Sequence, residues 1–471
     1  ANSDFSTGAF SAEYSNALGG IFDLKLRKGN NSKTEYTFKA GFLGMEAAIE
    51  GPFSKKYKGS YLVNYRYSTL SLIDKLGVDL SGVINYSDLS YHINLPLNKG
   101  GHFSLFGLNG WSDQSIDETL EDIDVEIGAL EHRFEGKFLS NMSVNGAKYT
   151  VSTHKNGFLS AILAYSTTKN GYQEDVNTVF RDYTFFSKFN LDNKVNKRSG
   201  ALSFTQKINP NLVLKSGMFY DKMDYQTTYN EYTNANEFTN LINNADNTSL
   251  VRVYSQMQYR INNKWSSNFG IHYANFLLNN KQVVEPRGNI QYTINQRSNI
   301  ALAYGRHSQV QPLIVYFLKS EEGNLVNKDL DFTKAHHLVL TYNFEINTHT
   351  RIKSELYYQH LTDLAVGQGE NSNFAMVNQQ YFIPDFALVN EGKGKNMGVE
   401  LTLERFLHNN WYYIVTASVF DAKYKTPTTE WLNTRYNAQY SSVVTIGKEW
   451  VVGKSKRNTL GFNIKNAIVG G

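Results

Sequence analysis

Four side chains able to bind or orient a polar ligand follow one another in "YGRHSQVQPLIVYF" (304–317): Arg306, His307, Gln309 and Gln311. A guanidinium, an imidazole and two amides offer charged and neutral hydrogen bonds. The apolar run after Pro312 adds contact surface beside them, and a small-molecule pocket needs both. The stretch reads as the top of a strand leading into a long loop, so these four are candidate ligand-binding residues. Tyr172, Tyr225, Tyr229, Tyr232, Tyr381, Phe382 and Trp431 fall in other predicted loops and would supply aromatic surface to the same ligand.

Other groupings lead to less. The carboxylates of "DETLEDIDVE" (117–126) lack the spacing and glycine of an EF-hand loop and read as a solvated acidic loop. His336 and His337 are neighbours in a strand, point to opposite faces and cannot chelate one metal together. Gly392 and Gly394 lack a phosphate-loop spacing. The chain has no cysteine, which removes disulfides, thiolate zinc sites and a cysteine nucleophile, and no Ser-His-Asp order stands out. No catalytic residue, metal site or cofactor is therefore predicted. The 47 basic and 43 acidic residues are spread along the chain with no basic tract, which argues against nucleic-acid binding.

The elements that must hold these residues are strands. In "HHLVLTYNFEI", Leu338, Leu340, Tyr342, Phe344 and Ile346 alternate with Thr341, Asn343 and Glu345, and "MGVELTLER" and "RIKSELYYQHL" repeat the pattern. Helical spacing is nowhere sustained. Short polar turns, such as Asn209-Pro210-Asn211 and His408-Asn409-Asn410, alternate with longer segments at roughly 112–142, 168–195, 226–247, 306–334, 364–388 and 425–433. Aromatic residues, among them Tyr65, Trp111, Trp265, Trp411 and Trp450, fall near predicted strand ends, where interfacial girdles belong. No run of about eighteen apolar residues is present, so no membrane-spanning helix is predicted. Long alternating strands with short turns at one end and long loops at the other instead describe a transmembrane antiparallel up-and-down β-barrel, all-β, of about nineteen strands. Its odd strand number predicts that the last strands are missing, and the opening stretch reads as the end of an earlier domain.

That opening stretch, "FSAEYSNALGGIFDLKLRKGN", resembles the junction between plug and barrel in TonB-dependent outer-membrane receptors, particularly the Bacteroidetes type with a carboxypeptidase-regulatory-like N-terminal domain. "YLVNYRYSTLSLIDKLG", "LAYGRHSQVQPLIVYF", "NKDLDFTKAHHLVLTYNFEIN" and "LVNEGKGKNMGVELTLERFL" are similar to barrel segments of that group. The resemblance implies a barrel of 22 strands in the full protein, with residues 1–30 the end of the plug and 31–471 the barrel. It also implies a Gram-negative outer-membrane location and import of a scarce ligand, whether siderophore, haem, cobalamin, peptide or glycan. The implied partners are the TonB-ExbB-ExbD system, outer-membrane lipid and lipopolysaccharide, and a surface lipoprotein. The alternative is a receptor-like barrel serving as a structural subunit of a larger outer-membrane complex without transport. Lys25 and Arg27 at the plug end are expected to meet inward carboxylates of the barrel such as Glu355, Glu400 or Glu404.

Overall fold

The computed structural model describes residues 2–471 apart from 43, 76–81, 83, 98–99, 125–127, 155, 181–182, 234–237, 320–322, 370–371, 380–383, 385 and 456–457. It opens with a hairpin of β1 (Asn2–Thr7) and β2 (Gly20–Lys25). The sheet that follows runs through β3 (Glu35–Ala40), β4 (Gly44–Pro52), β5 (Ser60–Ser68), β6 (Ile84–Pro96), β7 (Gly101–Asp124), β8 (Gly128–His154) and β9 (Gly157–Phe180). It continues through β10 (Tyr183–Asn209), β11 (Leu212–Thr233), β12 (Phe238–Arg260), β13 (Trp265–Phe276), β14 (Lys281–Asn295) and β15 (Ser298–Gln309). It ends with β16 (Thr333–Asn347), β17 (Thr350–Gly367), β18 (Leu388–His408), β19 (Trp411–Lys425), the two-residue β20 (Leu432–Asn433), β21 (Tyr440–Val452) and β22 (Asn458–Val469). Two short helices, α1 (Thr69–Lys75) and α2 (Leu313–Tyr316), lie in connections.

Each strand pairs antiparallel with its sequence neighbour, β19 pairing with both β20 and β21, and the sheet curls into a barrel. Register is defined from β3–β4 through β21–β22. β22 and β3 are neighbours in the closed order, and both strands are exposed on both faces along nearly their whole length. At the short-turn end the chain reverses on asparagines. Asn209, Asn262, Asn295 and Asn347 each accept, on the side-chain oxygen, the backbone N–H two residues on. Asn409 and Asn410 reverse the next hairpin with φ of 52° and 65°, the left-handed pair that a tight two-residue hairpin demands.

Alternation fixes which side chains face out. Leu302, Leu340, Leu356, Val399 and Val419 lie in one cross-strand row over β15–β19 and are all exposed. On β16 the outward apolar positions extend from Leu338 to Ile346, about 27 Å along a strand, enough for a tilted strand to carry the apolar belt of a membrane barrel. Trp265 packs on Tyr292 at 4.6 Å, and Trp411 and Trp450 both flank Lys448, which places an aromatic girdle at the short-turn end.

Three segments expected to be long loops, 112–142, 168–195 and 226–247, are instead strand throughout their described residues. β7 to β12 run 22 to 27 residues each. Strict alternation is interrupted there, and the backbone ladder continues without it. Of the acidic stretch 117–126, residues 117–124 lie on the rising end of β7, and 125–126 lie outside the described residues.

Candidate functional site

The loop joining β1 to β2, residues 8–19, reaches the inner wall of the barrel, and buried polar side chains hold its backbone. Arg287 on β14 donates to the carbonyls of Ser11 at 2.7 Å and Tyr14 at 2.6 Å, and to the carboxylate of Glu285 at 2.5 Å. Glu285 also accepts from the Ser308 hydroxyl at 2.5 Å. Both members of the ion pair are buried, Arg287 at 3% and Glu285 at 0% side-chain exposure, so each charge depends on the other and on these hydrogen bonds. His272 Nδ1 lies 2.7 Å from the Ala12 carbonyl, His337 Nδ1 accepts the Ala9 N–H at 3.3 Å, and the His307 ring stacks 3.9 Å from Phe10. Lys215 pairs with Glu13, and Arg252 holds Asp221 and donates to Ser15 at 3.2 Å. Ala9 and Asn16 adopt left-handed backbone, φ 39° and 56°, where the segment turns in and out of this clamp.

Above the clamp the barrel mouth is closed from inside by the connection between β15 and β16. Its run "PLIVYFL" carries Val315, Tyr316 and Phe317, each 1% exposed or less, against Tyr225, Leu250, Phe276, Val283, Ala365 and Leu388 of the walls, and Leu318 at 2% against Tyr229. Phe317 stacks on Tyr225 at 3.6 Å and 14°. Asn327, also buried, fixes the loop to the foot of β18 by accepting the Leu388 N–H at 2.8 Å. Burial pushes the Tyr316 phenol above its ordinary range, and its oxygen accepts the Gln311 N–H at 3.1 Å.

Between clamp and cap lies a cavity of about 350 Å³. Gln309, Gln311 and Gln379 contribute amides and Thr333 a hydroxyl; the remaining lining is aliphatic, including Leu18, Val315, Leu364 and Met376. No charged side chain lines it among the described residues. Gln311 Nε2 donates to Thr333 Oγ1 at 2.9 Å, which sets its amide plane. A second cavity of about 200 Å³ lies lower, against Thr7, Gly8 and Gly19, with Glu355, Tyr357, Gln359, Asn396 and Glu400 on the barrel side.

The candidate residues separate accordingly. Gln309 and Gln311 line the upper cavity, whereas His307 belongs to the clamp, fully buried. Arg306 faces outward, donating to the Val284 carbonyl at 3.2 Å beside His336, whose Nδ1 lies 2.9 Å from Tyr304 Oη. His336 and His337 do point to opposite faces. Tyr225 and Tyr229 are buried under the cap, Tyr229 against Leu318, and Tyr172 lies between Phe138 and Phe189 at 4.5 and 5.4 Å. Tyr232 pairs through its backbone with Lys188. Tyr381 and Phe382 lie outside the described residues. Trp431 covers two lysines of the outer wall, Lys395 at 4.6 Å and Lys425 at 5.3 Å, so it serves the outer surface and not the mouth.

The expected pairing of Lys25 and Arg27 is different. Lys25 bonds Asp4 at 2.6 Å and Asp23 at 3.3 Å within its own hairpin, and Arg27 makes a two-pronged contact with Glu50. Glu404 is taken by Arg351 at 2.5 Å and Glu355 by Lys353 at 2.7 Å. Nearness in sequence and register outcompeted the longer reach. Glu355 and Glu400 are direct cross-strand partners and line the lower cavity opposite the inserted segment. Arg287, Glu285 and His272 escaped the sequence reading, although "EPR" inside a strand was the signal: alternation puts both charges on one face, and an inward ion pair needs something to hold.

The barrel, its inward clamp and its capped mouth define a membrane β-barrel receptor. Residues 61–457 match the family model described as TonB dependent receptor-like, beta-barrel, and the chain belongs to that family, which is one of the outer membrane. Among solved structures it is similar to the ferric yersiniabactin uptake receptor FyuA from Yersinia pestis (TM-score 0.71, 12% identity, 99% of this chain and 73% of that one). The siderophore receptor PiuA from Acinetobacter baumannii gives 0.68 at 12% identity, covering 95% and 74%. The RagAB peptide importer gives 0.59 at 9%, covering 90% and 61%. At such identities the likeness is one of fold. No curated protein matches the sequence.

Proposed function

We propose that this chain is the barrel of an outer-membrane importer, that residues 1–30 are the end of its plug, and that its ligand is an uncharged, apolar oligopeptide. The uncharged lining of the upper cavity carries this reading. Ferric siderophores and haem bear charge that such a lining would leave unpaired in a confined site, at a cost of several kcal/mol. Aliphatic walls suit apolar side chains, while three glutamine amides and a threonine can meet peptide N–H and C=O groups. Sugars are commonly met by aromatic faces, and among the described residues this lining has none. Passage would require the cap to lift off Tyr225 and the clamped segment to yield, work that the TonB-ExbB-ExbD system would supply through the plug.

The test is calorimetric titration of the full-length protein in detergent with apolar tripeptides, a ferric siderophore and haem. Saturable binding of the tripeptides, weakened by V315E, supports the proposal. Binding of the siderophore or haem alone contradicts it.

A further inference from the structure

Phe10 anchors the inserted segment. Its ring is 4% exposed, 4.9 Å from the Arg287 guanidinium and 3.9 Å from the His307 ring, which in turn lies 4.6 Å from the ring of His337. β15 and β16 turn these two histidines into the lumen, with Gly305 directly opposite His337. A side chain at 305 would meet His307 Nε2 at 2.5 Å and Ala9 Cα at 3.0 Å, so glycine lets the segment and the His307 ring share this space.

Both histidines suit the segment only while they are neutral. His337 Nδ1 accepts the Ala9 N–H, which places the ring proton on Nε2, and the Leu18 carbonyl is its other polar neighbour. An imidazolium has no lone pair to accept with. Protonation therefore removes that hydrogen bond and sets one N–H against another. His307 is 0% exposed, and among the described residues neither of its nitrogens has a hydrogen-bond partner. As an imidazolium it would be an unpaired buried charge beside Arg287, and the π face of Phe10 recovers only part of that cost.

The charged and titratable groups packed around the pair do not compensate. On β14, Arg287 adds like charge, and Glu285 has one oxygen engaged by Arg287 and the other by Ser308. On β13, His272 Nδ1 donates to the Ala12 carbonyl, a bond that either charge state of the ring can make. Arg252 is held by Asp221, Glu13 of the segment by Lys215, and Tyr14 donates to Asp23. His336 faces outward to Tyr304, and β17 sets the neutral Gln359 opposite His337.

We propose that His307 and His337 form an acid-sensitive latch, holding residues 8–19 against the barrel wall at neutral pH and releasing them when both rings take up protons. A free histidine titrates near pH 6.5. Above that value the latch is at full strength. Below it, each ring that is neutral when held and charged when released shifts the opening equilibrium by up to about tenfold per pH unit.

The experiment is amide hydrogen exchange of the full-length protein in detergent at pH 7.5, 6.5 and 5.5, corrected for the intrinsic pH dependence of exchange. Protection of residues 8–19 should fall about threefold over the first step and about thirtyfold over the second, while β13 to β16 keep theirs. H337Q retains an acceptor for Ala9 and H307F a ring on Phe10, and neither new side chain titrates. Each alone should reduce the second fall to about fivefold, and H307F/H337Q should abolish it. H272Q, whose amide can still donate to Ala12, should follow the wild type. Level protection in the wild-type protein overturns the latch without recourse to any variant. So does a fall that persists in H307F/H337Q, which would place the titration on Glu285 or Glu13. Heat-modifiable migration in gels reports insertion of each variant. If the double variant does not insert, the single variants decide, and a full thirtyfold fall in both overturns the proposal.

Discussion

Arg287 and Glu285 are two residues apart on one strand, buried together at 2.5 Å, and the arginine also holds the carbonyls of Ser11 and Tyr14. One pair thus ties the barrel wall to the inserted segment. R287A removes the counter-charge of buried Glu285, a loss of about 3–5 kcal/mol for a buried pair. It should also remove the main support of residues 8–19. The expected result is a lower unfolding temperature, with faster amide hydrogen exchange confined to residues 8–19. Unchanged protection there would mean the clamp is incidental.

The Phe317 ring on Tyr225 is the corresponding contact for the cap. F317A should cost about 3–5 kcal/mol, the usual price of truncating a buried aromatic, concentrated in the connection between β15 and β16. In planar bilayers the variant should show more frequent or larger conductance steps than wild type. Identical conductance would show that the cap is held by its other contacts.

Tyr316 gives the cap a dependence on pH. Burial favours the neutral phenol, so its folded pKa stands above the ordinary value near 10. Stability is then complete below that ordinary value and is lost as pH rises through the folded one. Exchange protection of residues 313–318 should fall in strongly alkaline solution. Y316F cannot ionise; it should start about 1 kcal/mol weaker for want of the Gln311 hydrogen bond, yet hold its protection to higher pH. Parallel profiles for the two proteins would exclude Tyr316 as the titrating group.

The barrel is not uniformly tight. β22 and β3 are exposed on both faces, whereas β13 to β17 back the clamp and cap. Amide exchange in detergent should be fastest in β22 and β3 and slowest around Ala274, His337 and Val339. Uniform rates would show β22 and β3 as well held as the rest of the barrel.

The sequence conveyed the barrel well because membrane strands obey one rule, alternation, which the residues 338–346 display openly. It conveyed the length of β7–β12 poorly because strict alternation is interrupted there, while backbone pairing, which leaves no side-chain signature, continues. Gln309 and Gln311 could be placed at the mouth because they follow a strand top. Arg306 and His307, side by side with them, separate for the same period-two reason that separates His336 from His337. The aromatic residues misled because buried and ligand-facing tyrosines have the same sequence signature. Tyr225 is buried because "PLIVYFL" folds inward onto it.

The importer reading meets its most direct test in cells carrying the full-length protein, given a radiolabelled apolar tripeptide with and without an uncoupler of the inner-membrane proton gradient. The expected result is accumulation above that of a deletion strain, abolished by the uncoupler and reduced by V315E. Accumulation no greater than in the deletion strain, or indifferent to the uncoupler, would contradict energised import through this barrel.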